Sequence, residues 1–354
     1  MPSPGRFRSP ASLGGIIQAL NPNPQAIKPQ KTTMPTLDLP LAELYQYQGT
    51  NPRPLDFDEY WARGLAEMQA VDPAVELVPA SFQSQFAECF DLFYTGVGGS
   101  RIHAKYLRPR VRSGRKPAIV QFHGYSLNSG NWYDKLAWVA EGFSVAALDC
   151  RGQGGLSQDL GGVTGNTHRG QIIRGLDAPT PDQLLFRQIF LDTAQLVRII
   201  SGFAEVDPDR IGAMGASQGG GLALACAALA PQIQRVAPVY PFLSDYQRVW
   251  EMDLAANAYE DVRNYFRLFD PTHAREEQVF TRLGYIDVQH LAPRIQGQVL
   301  MAATLMDNIC PPSTQFAAYN KIRSQKSIMV YPDYAHEPEL PGFKDATFEF
   351  LRKL

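Results

Sequence analysis

Apolar residues in this chain gather in short unbroken runs rather than in alternating ones. Six runs stand out: "PAIVQFHG" (117–124), "FSVAALDCRG" (143–152), "RIGAMGAS" (210–217), "RVAPVYPFL" (235–243), "QVLMAATLMD" (298–307) and "KSIMVYPD" (326–333). A strand that is apolar on both faces must be covered on both faces. Between these runs the spacing changes to a helical one, over 132–141, 182–203 and 219–230, and "FKDATFEFLRKL" closes the chain as a further helix. Strands alternating with helices predict an α/β fold, a mostly parallel central sheet with helices on both faces. Ahead of it, "DFDEYWARGLAEM" (56–68) predicts a helix with aspartates at its start. "FAECFDLFYTGVGGSRIHAKYLRP" (86–109) predicts two strands around a glycine turn.

Two stretches break the alternation. Residues 153–181 are rich in glycine, threonine and proline, and residues 244–292 form an aromatic helical insertion between two strands. Long connections in a compact domain are usually lids or interaction surfaces. Residues 1–33 differ again: they are proline-rich and carry Arg6, Arg8, Lys28 and Lys31 with no acidic residue. A disordered or non-native tail is expected there, a targeting peptide being the other reading. Residues 34–354 are expected to be one domain.

The 354 residues can bury a large core, and 45% are hydrophobic and 19% charged, with a formal net charge of −2. That balance lacks the basic excess of a nucleic-acid binder. No apolar stretch approaches the ~20 residues of a bilayer span. Cys89, Cys150, Cys226 and Cys310 are scattered with no CxxC pair, which argues against a disulfide scaffold or zinc site and for a reducing compartment, the cytoplasm.

"GAMGASQGGGLALA" (212–225) raises the chemical question, because it sets Ser217 between Gly215 and Gly219, after a strand and before a helix. Small residues there also serve close helix–sheet packing. Yet G-x-S-x-G in this context is the turn that lifts a nucleophilic hydroxyl clear of a sheet's C-terminal edge. The helix behind it aims free N–H groups at a developing oxyanion. A serine needs a base, and the base needs an orienting acid. Of six histidines, His103, His168, His273 and His290 lie in a hairpin, a loop or the insertion, and His123 in "FHGYS" has an oxyanion-loop position. His336 follows the last strand. His336-Glu337 is not a zinc motif, since no second histidine completes HExxH. The acid should end a strand between serine and base, which selects Asp307; Asp333 lies too close to His336, and Asp287 lies in the insertion. The order Ser217…Asp307…His336 fits the α/β-hydrolase arrangement.

"HGY" (123–125), "RGQG" (151–154), "GASQGGG" (215–221), "LMDNICPPSTQFAAYN" (305–320) and "HE" (336–337) together resemble carbohydrate esterase family seven, the acetyl xylan esterases and cephalosporin C deacetylases. The resemblance implies a catalytic triad of Ser217, Asp307 and His336, with an oxyanion hole from the backbone N–H groups of Tyr125 and Gln218. It makes Arg151 and Gln153 structural supports and implies a homohexamer acting on small acetylated sugars or cephalosporin-type compounds, with no metal or organic cofactor. It also implies a site that takes acetyl and little more, and Tyr125, Phe242 and Ile309 carry the bulk expected of its acyl pocket. A serine peptidase of the prolyl-oligopeptidase kind shares the fold and order, but the stretch ahead of residue 117 is too short for its propeller. A non-catalytic hydrolase-fold binding protein would usually lack a triad member, and none is missing.

Overall fold

A computed structural model describes residues 37–111, 113–161 and 171–354; the tail 1–33 and His168 lie outside the described residues. Among these, nine strands form one sheet: β1 (Glu76–Pro79), β2 (Ala87–Thr95), β3 (Arg101–Pro109), β4 (Lys116–Phe122), β5 (Ser144–Leu148), β6 (Val206–Ala216), β7 (Ile233–Val239), β8 (Gln298–Thr304) and β9 (Lys326–Tyr331). Their order is β1-β2-β3-β5-β4-β6-β7-β8-β9. The pairs β1–β2, β2–β3 and β3–β5 are antiparallel, and β4 through β9 run parallel to one another.

Along β4, Ala118, Val120 and Phe122 enter one core and Ile119 enters the other, so the uninterrupted apolar run serves both faces. The larger core holds the helices Phe57–Ala70, Leu185–Ser201, Gln218–Leu229 and Pro312–Lys321; the smaller is covered by Leu136–Ala140 and Phe343–Leu351. Helix Gln218–Leu229 buries every residue but Ala228, which explains its lack of a polar stripe.

Two elements depart from the sequence reading. β1 is four residues long with an exposed Val78, too short and too polar in setting to betray itself. The second is the helix Pro312–Lys321, which follows a short loop after Asp307 and opens on a proline, a position where a proline costs no hydrogen bond.

The strand order reverses about β4, whose neighbours are β5 on one side and β6 on the other. The carboxyl ends of β4 and β6 therefore flank the switch point, the place where open α/β sheets hold ligands. Between β7 and β8 the insertion supplies helices Tyr246–Glu251, Glu260–Phe269, Glu276–Leu283 and Val288–Leu291. Its two ends are tied together, since the Asp245 N–H donates to Asp287 Oδ2 at 2.9 Å. Asp245 in turn accepts from the Asn51 N–H at 2.8 Å and from the Tyr47 hydroxyl at 2.8 Å.

Candidate active site

Ser217 leaves β6 with φ 57° and ψ −120°, a strained conformation for a residue with a Cβ. Its N–H donates to the Val239 carbonyl at 3.0 Å, and its own carbonyl accepts from the N–H groups of Gly221 (3.1 Å) and Phe242 (3.0 Å). Three backbone bonds thus hold the turn. A Cβ at Gly215 would come within 2.5 Å of the Gly219 backbone, and one at Gly219 would strike the Phe122 carbonyl oxygen. The flanking glycines are needed because the helix start presses against the end of β4, bringing Phe122 and His123 beside Gln218 and Gly219.

Asp307 follows β8 and His336 follows β9, and they meet: His336 Nδ1–H donates to Asp307 Oδ2 at 2.7 Å. The other carboxylate oxygen accepts from the N–H groups of Ile309 and Cys310, both at 2.8 Å. Asp307 is fully buried, while the imidazole is 18% exposed and can reach a substrate. Asp333, the rejected rival, is exposed.

Cys310 was invisible to motif reasoning. Its buried thiol is a hydrogen-bond partner of the Ser217 hydroxyl, and burial, followed by the Asp307 charge, pushes it well above the usual thiol range. Its sulfur, an Asp307 oxygen and a His336 nitrogen lie within 4.8 Å of one another, so the thiol that meets the Ser217 hydroxyl also sits beside the imidazole and the carboxylate. This is the one such cluster among the described residues that could hold a metal. Its carboxylate already accepts bonds on both oxygens and its thiol is held protonated, which suits proton transfer better than ligation. Tyr240, with φ 30°, also escaped the sequence reading; its ring lies 4.4 Å from that of His336, and its hydroxyl donates to the Glu337 carbonyl at 2.7 Å.

Gln153 ties the opposite wall together. Its Oε1 accepts from the Ser126 N–H (2.8 Å) and from Gln218 Nε2 (3.0 Å), while its Nε2 donates to Gln218 Oε1 (2.8 Å). One side chain thereby joins the loop bearing Tyr125 to the residue after Ser217. His123 donates through Nδ1–H to the Gly124 carbonyl (2.7 Å) and accepts through Nε2 from the Cys150 N–H (3.0 Å). Accepting at Nε2 requires the neutral ring, in keeping with the downward push of burial on its pKa.

Arg151 stands farther from the chemistry. Its buried guanidinium grips Asp192 through Nε (2.7 Å) and Nη2 (2.6 Å) and donates through Nη1 to the Val97 carbonyl at 3.0 Å. Arg151→Ala would strand a buried carboxylate, so stability should fall by about 3–5 kcal/mol. Urea unfolding would measure this, and a loss below about 1 kcal/mol, the scale of a surface pair, would contradict the supporting role.

Of the remaining histidines, His103 is clamped between Asp149 (2.6 Å) and Asp91 (2.9 Å), and burial drives the pKa of His290 down to about 3. His273 is bonded to Glu276 at 2.9 Å within the insertion. Tyr125 and Ile309 are partly buried and pack against the larger core. Phe242 has no accessible surface; its ring meets Tyr125 edge-on at 5.7 Å and backs that residue from within.

Residues 34–354 match the family model for acetyl xylan esterase (AXE1). The chain belongs to the acetyl xylan esterase family. Within it, the protein is similar to acetyl xylan esterase 1 from Thermoanaerobacterium sp. JW/SL YS485, with 62% identity, a TM-score of 0.88, and coverage of 89% of this chain and 99% of that one. It is likewise similar to an acetyl xylan esterase from Paenibacillus sp. R4, at 35% identity and a TM-score of 0.84, again over 89% and 99%. Acetyl esterase Axe7A of Xylanibacter ruminicola is 23% identical over 291 residues, 80% of this chain; the match spans 63% of that relative's length. This acetyl xylan esterase family member has no helix among its described residues long and apolar enough to cross a membrane.

Proposed function

We propose that residues 34–354 act as one catalytic domain, a serine esterase that removes acetyl groups from hydroxyls of sugars, xylo-oligosaccharides or cephalosporin-type compounds. The observation that carries this reading is the buried Asp307 carboxylate bonded at 2.7 Å to His336, grouped with Cys310 against the strained Ser217. Membership of the acetyl xylan esterase family supports the acyl group. Ser217 attacks the ester carbonyl as His336 Nε2 takes its proton, and Asp307 steadies the imidazolium. The N–H groups of Tyr125 and Gln218 receive the oxyanion; Gln218 opens a helix, so its N–H has no intrahelical partner. The alcohol leaves with the proton from His336, and water then repeats the cycle on the acyl-enzyme.

All four cysteines are unpaired and buried, which supports a cytoplasmic setting. A homohexamer is the assembly we infer from the family; a monomer by light scattering would remove it.

The experiment that tests the substrate reading compares acetyl, propionyl, butyryl and hexanoyl esters of one alcohol. Tyr125 and Ile309 wall the acyl pocket in this reading, and Phe242 stiffens it from behind. A longer chain must displace packed side chains at about 1–3 kcal/mol. That corresponds to a roughly 5- to 150-fold fall in kcat/KM from acetyl to butyryl. A flat profile would remove the small pocket, and an Ile309→Ala variant that kept the wild-type preference would clear Ile309 of any part in it.

A further inference from the structure

The insertion hydrogen-bonds the residue read as an oxyanion donor through Asp261. Asp261, in the first turn of the helix Glu260–Phe269, accepts from the Tyr125 hydroxyl at 3.1 Å and from the Ile172 N–H at 3.3 Å, both on Oδ2. Neither partner is a cation, and Asp261 is only 4% exposed. Burying an acid this way is costly, and an apolar residue would serve a helix better. Burial pushes its pKa up to about 6, against the hydrogen bonds from Ile172, Tyr125 and Gln171 and with Glu260 adding to the rise. A helix residue kept against its own solvation energy calls for a reason, and the backbone of Tyr125 offers one.

Tyr125 is held at both ends. Its hydroxyl is fixed by Asp261 and its ring lies against Phe242. The next residue, Ser126, sits at φ 60° with its N–H on Gln153. A side chain anchored at its tip and a strained backbone anchored one residue on leave the Tyr125 N–H little freedom to turn. We propose that Asp261 is a positioning residue that lets the helical insertion hold the Tyr125 N–H at the angle an oxyanion needs. The proposal rests on the reading of Tyr125 as an oxyanion donor. It assigns the insertion a part in catalysis rather than only in covering the site.

Losing an oxyanion donor outright costs about 10²–10³ in kcat, and loosening one should cost part of that. Asp261→Ala and Tyr125→Phe should each lower kcat about ten-fold with KM within about two-fold. The double variant should be no worse than the poorer single one, because both cut the same bond. Asp261→Asn, whose amide oxygen still accepts from the hydroxyl, should recover most of the loss. A double variant down by about a hundred-fold would overturn the proposal. So would a loss confined to KM, an Asp261→Asn variant as poor as alanine, or a Tyr125→Phe variant with undiminished kcat. Tyr125→Phe keeps the ring and its packing, so it decides the matter even where Asp261→Ala does not fold. Ser217→Ala in the same assay separates the two failures: an inactive Ser217→Ala beside an unaffected Tyr125→Phe defeats the positioning role alone. An active Ser217→Ala defeats the esterase mechanism beneath it.

Discussion

Replacing Ser217 with alanine is expected to lower kcat by about 10⁴-fold or more, because a nucleophile and its base work as one unit. The fold should survive. The turn is held by three backbone bonds that alanine keeps, and alanine occupies φ 57° no more easily than serine does, so the strain is unchanged. What is lost is the hydroxyl and its contact with the Cys310 thiol. Steady-state rates on an acetyl ester, with thermal unfolding as the control for folding, give the measurement. Retention of more than a tenth of wild-type kcat by a folded variant would end the assignment of Ser217.

What the sequence could reveal here depended on how local the cause was. The parallel strands were legible because burial on both faces forces an unbroken apolar run, and β5 is buried at every position. Ser217 was legible because its neighbours at 215 and 219 must lack a Cβ, a constraint written within five residues. Asp307 and His336 could be picked because each follows a strand, and chain order in this fold dictates which strand ends come together. Cys310, Tyr240 and Asp261 were not legible. Each matters through a contact made across the fold: Cys310 with Ser217, Tyr240 with His336, Asp261 with Tyr125. Nothing in the residues beside them records those partners. Phe242 could be seen as bulky, but only packing places it behind Tyr125 rather than in front.

Asp307→Asn should be nearly as damaging as the loss of Ser217, about 10⁴-fold in kcat near neutral pH, and the hydrogen bonds explain why. One oxygen of Asp307 accepts from two backbone N–H groups, of Ile309 and Cys310, while the other accepts from His336. An asparagine has a single oxygen to share between these duties. With that oxygen on the two buried N–H groups, the amide NH₂ faces His336 Nδ1, which must then accept. The ring's one proton moves to Nε2, and the nitrogen facing Ser217 can no longer take a proton. Flipping the amide instead would set two donors against its NH₂, forfeiting both backbone bonds in a buried place. The first orientation keeps both backbone bonds and is therefore favoured; it disables the base but leaves the loop intact, so the variant should fold and bind ester with KM little changed. Asp333→Asn, three residues from His336 but exposed, serves as the counterpart and should leave kcat within about two-fold, as expected of a surface position. A folded Asp307→Asn enzyme retaining more than a hundredth of wild-type kcat would remove Asp307 from the triad. An equal loss in Asp333→Asn would transfer the role there.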